Sequence, residues 1–545
     1  MDSAMGMNRR SEVVARHGMV AASEPLAARV GVEILKRGGH AVDAAIATNA
    51  MLGVVEPMSC GLGGDLFAIV WDTEIGALVG LNGSGRAPRT MTRDLFASRG
   101  LDRIPDRGSL SWSVPGCVDG WFTLHERFGR LPIGDLLAPA IAAAESGFQV
   151  APVIARMWGE AEAQLHTDPG AAATFLTGGR APRAGETFRN ADLAVSLRAI
   201  CEDGRDAFYR GSIADRIAAC ARAVGGLIVE GDLASHISTW DDPMSVRYRG
   251  HDVWELPPNG QGIAALQMLG ILEGFDLAGT EHGSAELLHL QIEAKKLAYE
   301  DRARFYGDPA FADIPVDGLI SEAYALRRRT QIDPNRAADA VTHGDPRLVA
   351  GDTVYLTVVD AERNGVSLIQ SIYHDFGSGI VAPGTGFALQ NRGSLFHLDP
   401  DHPNALEPGK RPFHTIIPAF VTQDGRPVLS FGVMGGDMQP QGHVQILVNR
   451  LDFAMDVQAA GDALRWRHVG SSTPTGRERT DGGLVLLESG FPESTIAGLR
   501  AKGHRVESRA GGAGFGGYQG IWIDEDVGVL RGGTEVRKDG ISLGY

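Results

Sequence analysis

From Leu26 the sequence LAARVGVEILKRGG sets Leu26, Val30 and Ile34 four residues apart, which places them on one helical face. Ser23 can cap that helix, Pro25 suits its first turn and Gly38 ends it. The stretch from Ala41 to Val55 is apolar nearly all round and predicts a helix buried on every side. LFAIVWD (66–72) then reads as a strand, so helices layered on a sheet are expected. Further helices are predicted over 132–146 and 284–305, the second amphipathic with an acidic-basic outer face. No internal repeat, low-complexity linker or clean domain boundary interrupts the chain.

Residues 353–376 change the period from helical to alternating. TVYLTVVD is rich in β-branched residues, a turn from Ala361 to Gly365 ends in Asn-Gly, and VSLIQSIY returns. A β-hairpin with Thr353 at its entry is predicted, and periodicity alone gives that threonine only a strand role.

Composition narrows the class of protein. A hydrophobic share of 43% and a charged share of 22% are those of a globular protein, and 545 residues suffice for several domains or one large core. The 72 glycines have no Gly-X-Y period and predict tight turns and close backbone approaches. A net charge of −16 argues against nucleic acid as a partner. Four dispersed cysteines (Cys60, Cys117, Cys201, Cys220) without a CxxC pair predict reduced thiols. The N-terminus lacks the apolar core of a secretory signal, and no apolar run is long enough to span a membrane. A cytoplasmic protein is expected.

The familiar catalytic signatures are missing: no HExxH, GxSxG, Walker A or EF-hand loop occurs. Gly61-Leu62-Gly63-Gly64-Asp65 lacks the lysine of a phosphate loop and reads as a structural turn. The GxGxxG at Gly512–Gly517 precedes a strand, where a dinucleotide fold needs a helix. The 16 histidines show no metal-ligand spacing. Neither a metal nor a cofactor is expected.

Ordered blocks along nearly the whole chain carry more information. GGHAVDAAIATNAMLGVVEP (38–57), SVPGCVDGWFTLHERFG (113–129), LPPNGQGIAALQMLGILEGFD (256–276) and EAKKLAYEDRARFYGDPAF (293–311) come first. GDTVYLTVVD (351–360), FGSGIV (376–381), GKRPFHTIIPA (409–419), GVMGGD (432–437) and DGISLGY (539–545) follow. In this order they resemble the γ-glutamyltranspeptidase family. The resemblance implies an α+β fold, the four-layer αββα sandwich of N-terminal-nucleophile hydrolases. It also implies a precursor that cuts its own Asp352–Thr353 bond. Residues 1–352 would form a large subunit and 353–545 a small one, together making one composite unit. Thr353 would be the nucleophile, Ser371 the hydroxyl that hydrogen-bonds it, and Gly435-Gly436 the source of oxyanion-stabilising N–H groups. The chemical sense of the cut is that a threonine hydroxyl needs a base, and a freed α-amine titrates near 8 whereas an amide is not basic.

Around the substrate the chain departs from the family pattern. Tyr373 stands where an asparagine is usual, and in Asn391-Arg392-Gly393-Ser394-Leu395 an arginine replaces glutamine and a leucine replaces aspartate. His414-Thr415 replaces a serine pair, Ser84 occupies the place of a carboxylate-binding arginine, and Arg86 lies two residues on. The segment from Leu395 to Lys410 is shorter than many lid loops of the family. Without the aspartate an α-ammonium has no partner, while Arg392 or Arg86 favours a carboxylate. These changes resemble the oxamate amidohydrolase and cephalosporin acylase-like branch. The expected substrate is a small carboxylate-bearing amide such as oxamate. A γ-glutamyl donor such as glutathione is the alternative, and a non-processing scaffold or binding protein is one of another class. The expected partners are that small molecule and the two subunits of one precursor, without nucleic acid or membrane; dimerisation of the two-subunit unit stays open.

Overall fold

The computed structural model describes residues 10–339, 341, 352–471, 473–476 and 481–545. Two seven-stranded sheets lie at its centre. One runs in the order Ile541–Gly544, Met19–Ala22, Asp352–Val359, Gly365–Tyr373, Asp65–Asp72, Ala77–Gly83, Thr239–Asp241. The other runs Val13–Ala15, Val529–Gly533, Gly517–Asp524, Arg426–Met434, Ala419–Gln423, His251–Glu255, Met244–Tyr248. Every pairing in both sheets is antiparallel.

Three apolar clusters show why the layers stack. Val354, Leu356, Val358, Leu368 and Ile372 point out of the first sheet and pack with the helices Pro25–Lys36 and Ala41–Val55. Phe67, Ile69, Tyr355, Ile369, Phe420 and Met434 fill the space between the sheets. Val421, Leu429, Phe431 and Val433 leave the second sheet toward the helices Gly262–Leu272, Ala285–Phe305 and Met438–Leu447. Strand side chains alternate faces, so one strand serves two of these cores at once. The result is helix, sheet, sheet, helix.

The hairpin follows the sequence expectation closely, and Ala41–Val55 is a helix buried at every position. Two local expectations are corrected. The helix Pro25–Lys36 is capped by Glu24, whose Oε2 accepts from the N–H groups of Leu26 (2.7 Å) and Ala27 (3.2 Å). Ser23 instead donates to Glu56 (2.7 Å), because that buried carboxylate lies within its reach. The helix Ala285–Phe305 has no outer face over most of its length: Lys295 and Arg302 are wholly buried, and Glu300 and Asp301 nearly so. Its charges find partners inside, where periodicity reads them as solvated.

The glycine turn 61–65 is packed against the end of the hairpin. A Cβ on Gly63 would sit 2.2 Å from the Ala388 carbonyl oxygen, and one on Gly64 2.4 Å from that of Ser371. These glycines allow backbone to meet backbone, which is the structural role expected of them.

Candidate active site

Thr353 sits at a break in pairing. Asp352 is opposite Tyr373 and Val354 opposite Gln370, with a register shift between them. The bulge leaves Thr353 out of the regular ladder and re-aims its side chain. Of Asp352 only the backbone is described, and Gly351 lies outside the described residues. Thr353 is 1% exposed. Its hydroxyl donates to Ser371 Oγ over 3.4 Å and accepts from Gln439 Nε2 over 3.5 Å, both long contacts. Ser371 Oγ also accepts the Tyr373 N–H (2.8 Å), and Gln439 Oε1 accepts the Ile417 N–H (2.9 Å). Both neighbours of the hydroxyl are therefore fixed by backbone.

Gly435 and Gly436 join the strand Arg426–Met434 to the helix Met438–Leu447. Their φ values of 123° and 57° lie where a side chain is disfavoured. The carbonyls of both accept from the helix, from Met438 N–H (3.0 Å) and Gln439 N–H (3.1 Å). Neither glycine's own N–H has an acceptor among the described residues. Two free amides at a helix N-terminus, one turn from the residue that touches Thr353, are suited to developing negative charge.

Next to them, at Asp437, opens a cleft of about 470 Å3 counted with the open solvent at its mouth, lined among others by Arg103, Asp106, Tyr373, Leu395 and Thr415. Tyr373 holds a φ of 80°, a strained value for a bulky residue and one that clusters at functional sites. Its ring lies 4.8 Å from the Arg392 guanidinium. Arg392 is wholly buried and donates through Nη1 to Thr415 Oγ1 (2.7 Å), but its Nε and Nη2 have no acceptor among the described residues. Burial draws the guanidinium down to about 10, partly offset by Asp65, so it remains cationic at neutral pH.

The other expected binding residues have partners within the protein. Asn391 is engaged by His374, whose N–H it accepts at 3.1 Å, and by the Asp106 carbonyl at 2.5 Å. Arg86 donates to the Ile237 carbonyl (3.0 Å), whereas Arg392 lies behind Thr415 and Tyr373, two residues that line the pocket. Ser84 donates to Asn82 (2.7 Å). His414 accepts the Ile416 N–H on Nδ1 (3.3 Å), which leaves the ring proton on Nε2, facing Asp65 Oδ2 (3.1 Å).

Asp65 has no counterpart in the sequence reading except the last place in a glycine turn. Its Oδ1 accepts from Gly85 N–H (2.9 Å), Gly116 N–H (3.1 Å) and Gln390 Nε2 (2.8 Å). Burial pushes its carboxyl from the usual 3.8 up to about 7, against the pull of Arg392 and these donors. A carboxyl that titrates higher folded than unfolded contributes stability fully below pH 4 and loses it as pH rises toward 7. The melting temperature of the parent relative to Asp65→Asn is therefore expected to fall between pH 4 and 7 and to level above. A rise across that window would contradict the direction of the shift. Gln439 also escaped sequence reasoning: it lies 86 residues from Thr353, and no local pattern marks it.

The described residues bring together one other group with metal-ligand chemistry, His289, Glu293 and His504. Lys296 already pairs with Glu293 Oε1 (2.7 Å), and the two imidazoles hydrogen-bond each other (2.8 Å). Internal contacts account for this cluster. No described helix is long and apolar enough to cross a membrane.

Two antiparallel sheets between helical layers, with a hydroxyl at a bulged strand entry, define the fold of the N-terminal-nucleophile hydrolases. The family model described as gamma-glutamyltranspeptidase matches residues 27–545, and the chain belongs to that family of enzymes. It is 40% identical to the glutathione hydrolase-like YwrD proenzyme of Bacillus subtilis (strain 168), over 98% of this chain and 99% of that protein. It is 36% identical to the oxamate amidohydrolase proenzyme of Klebsiella pneumoniae subsp. pneumoniae, over 98% of this chain and all of that protein. The crystal structure of cephalosporin acylase from Bacillus halodurans superposes with a TM-score of 0.92 at 43% identity, covering 100% of this chain and 99% of that one.

Proposed function

We propose that the chain cuts itself between Asp352 and Thr353 and then hydrolyses a small carboxylate-bearing amide through an acyl-enzyme on Thr353. Three relatives named as proenzymes or acylases support the chemistry. Cleavage adds water across the Asp352–Thr353 peptide bond and leaves Thr353 with a free α-amine. That amine takes the hydroxyl proton as Oγ1 attacks the substrate carbonyl. The Gly435 and Gly436 N–H groups donate to the resulting oxyanion, and Ser371 and Gln439 hold the attacking oxygen. The carbon–nitrogen bond breaks, the proton leaves with the amine, and water then hydrolyses the ester to release the acid.

The observation that carries the substrate class is Arg392: a buried cation with two unmatched donors, packed against Thr415 and Tyr373 of the pocket lining. Such donors are costly unless an acceptor arrives, and a carboxylate is the anion a guanidinium fork fits. Leu395 lines the pocket where the family's ammonium-binding aspartate would be, which disfavours an α-amino acid end. A γ-glutamyl donor is the second reading, favoured by the name of the YwrD relative. Ammonia release from oxamate, compared with p-nitroaniline release from a γ-glutamyl anilide, separates the two. Oxamate is expected to be turned over with the higher kcat/KM; activity on the anilide alone would overturn the assignment. Turnover of neither, by an uncut chain, would favour a scaffold.

A further inference from the structure

Gln261 stands at the N-cap of the helix Gly262–Leu272 and is wholly buried. Its Nε2 donates to two carbonyls, Thr415 O at 2.6 Å and Gly436 O at 3.0 Å. Its Oε1 accepts from Arg302 Nη1 at 2.5 Å. The orientation of the amide is fixed by its partners: reversed, it would set oxygen against two carbonyls and NH2 against a guanidinium.

Each partner leads to one arm of the site. Gly436 belongs to the pair whose amides are assigned the oxyanion in the proposed reaction. Two successive glycines have more backbone freedom than any other pair, so such a turn needs external fixing. Gln261 holds the Gly436 carbonyl, Arg302 Nη1 holds Asp437 Oδ1 (2.5 Å), and the Tyr299 hydroxyl holds the Asp437 carbonyl (2.5 Å). Thr415 leads to the other arm, because its Oγ1 receives Nη1 of Arg392. A single side chain thus ties the turn that would steady the oxyanion to the residue that anchors the anion-binding arginine. It does so from the part of the chain before residue 353, while both arms belong to the part after it.

We infer that Gln261 is a positioning residue that sets the spacing between the Gly435-Gly436 turn and the Arg392–Thr415 arm, and so the distance from scissile carbonyl to carboxylate that the enzyme accepts. The inference rests on the roles proposed above for those two arms. Rotation of the turn weakens oxyanion stabilisation for every amide. Displacement of Thr415 shifts Arg392 and weakens only substrates that carry a carboxylate. An ångström-scale misplacement costs on the order of 100-fold in rate.

Gln261→Met removes all three hydrogen bonds at nearly constant length. Gln261→Glu keeps the Arg302 contact but cannot donate to both carbonyls. Each would be assayed for kcat and KM on oxamate and on an uncharged acyl anilide, alongside Arg392→Met. The expected result for both Gln261 variants is a fall in kcat of roughly 10- to 100-fold on either amide. KM is expected to rise several-fold on oxamate alone, with both variants folded and Gln261→Glu melting below the parent because a carboxyl oxygen then faces the two carbonyls. A folded but uncut Gln261→Glu chain would also support the inference, since self-cleavage draws on the same turn. Values of kcat within twofold of the parent on both amides would overturn it, as would loss of the fold in both variants. If Arg392→Met leaves the preference between the two amides unchanged, the carboxylate assignment fails. The fall in kcat on the uncharged anilide then still decides the role of Gln261.

Discussion

Thr353→Ala is expected to remain a single chain of 545 residues on a denaturing gel, where the parent gives pieces of 352 and 193 residues. Amide hydrolysis is expected to fall by on the order of 10,000-fold or more, the scale of removing a nucleophile from a working constellation. Among the described residues the Thr353 hydroxyl makes two long hydrogen bonds, so the variant should fold with nearly the parent melting temperature. That combination is informative: intact fold, intact chain, no turnover. Ser371 is not expected to rescue the variant, because it lies in mid-strand, where no α-amine can form beside it. A cut or active Thr353→Ala chain would overturn the mechanism, and Thr353→Ser, which keeps the hydroxyl, should still be cut.

Arg392→Met should separate binding from chemistry. The charged hydrogen bonds that a carboxylate would make to Nε and Nη2 are each worth about 1.5–3 kcal/mol. Their joint loss, about 3–6 kcal/mol, predicts a kcat/KM for oxamate lower by roughly 150-fold or more, mostly in KM. Methionine fills much of the same volume, and Asp65, which loses that cation, keeps its donors from Gly85, Gly116 and Gln390 and takes up a proton more readily, so the fold should tolerate it. An uncharged amide should lose little. Equal losses on both substrates would mean that Arg392 supports the wall formed by Thr415 and Tyr373 and binds no anion.

The fold was legible to the extent that local patterns were sufficient. The hairpin and the helix Ala41–Val55 announce themselves by period, since one alternates and the other lacks a polar face. The helix Ala285–Phe305 shows where this stops. Its charges look solvated in one dimension and are buried by neighbours that only three dimensions supply, as when Arg302 meets Asp437 at 2.5 Å. Thr353 could be singled out only by family resemblance, because a threonine at a strand entry is ordinary. Arg392 was legible as a departure from that pattern, whereas its two unmatched donors were not. The contacts of Gln439 with Thr353, Gln261 with Gly436 and Asp65 with His414 span 86, 175 and 349 residues, and no window of sequence contains them.

The order of the two sheets has a bearing on what happens after the cut. In the first, Met19–Ala22 lies between Ile541–Gly544 and Asp352–Val359, and Gly365–Tyr373 lies against Asp65–Asp72. Strands from before and after residue 353 are thus interleaved, and neither piece holds a complete sheet. While the chain is whole, folding is unimolecular. Once Asp352 and Thr353 part, the same architecture can be regained only by an encounter between two molecules, each presenting unpaired strand edges prone to other partners. Cleavage would then act as a ratchet: the working enzyme persists by not unfolding, and its lifetime is set by an unfolding rate and not by a reversible equilibrium.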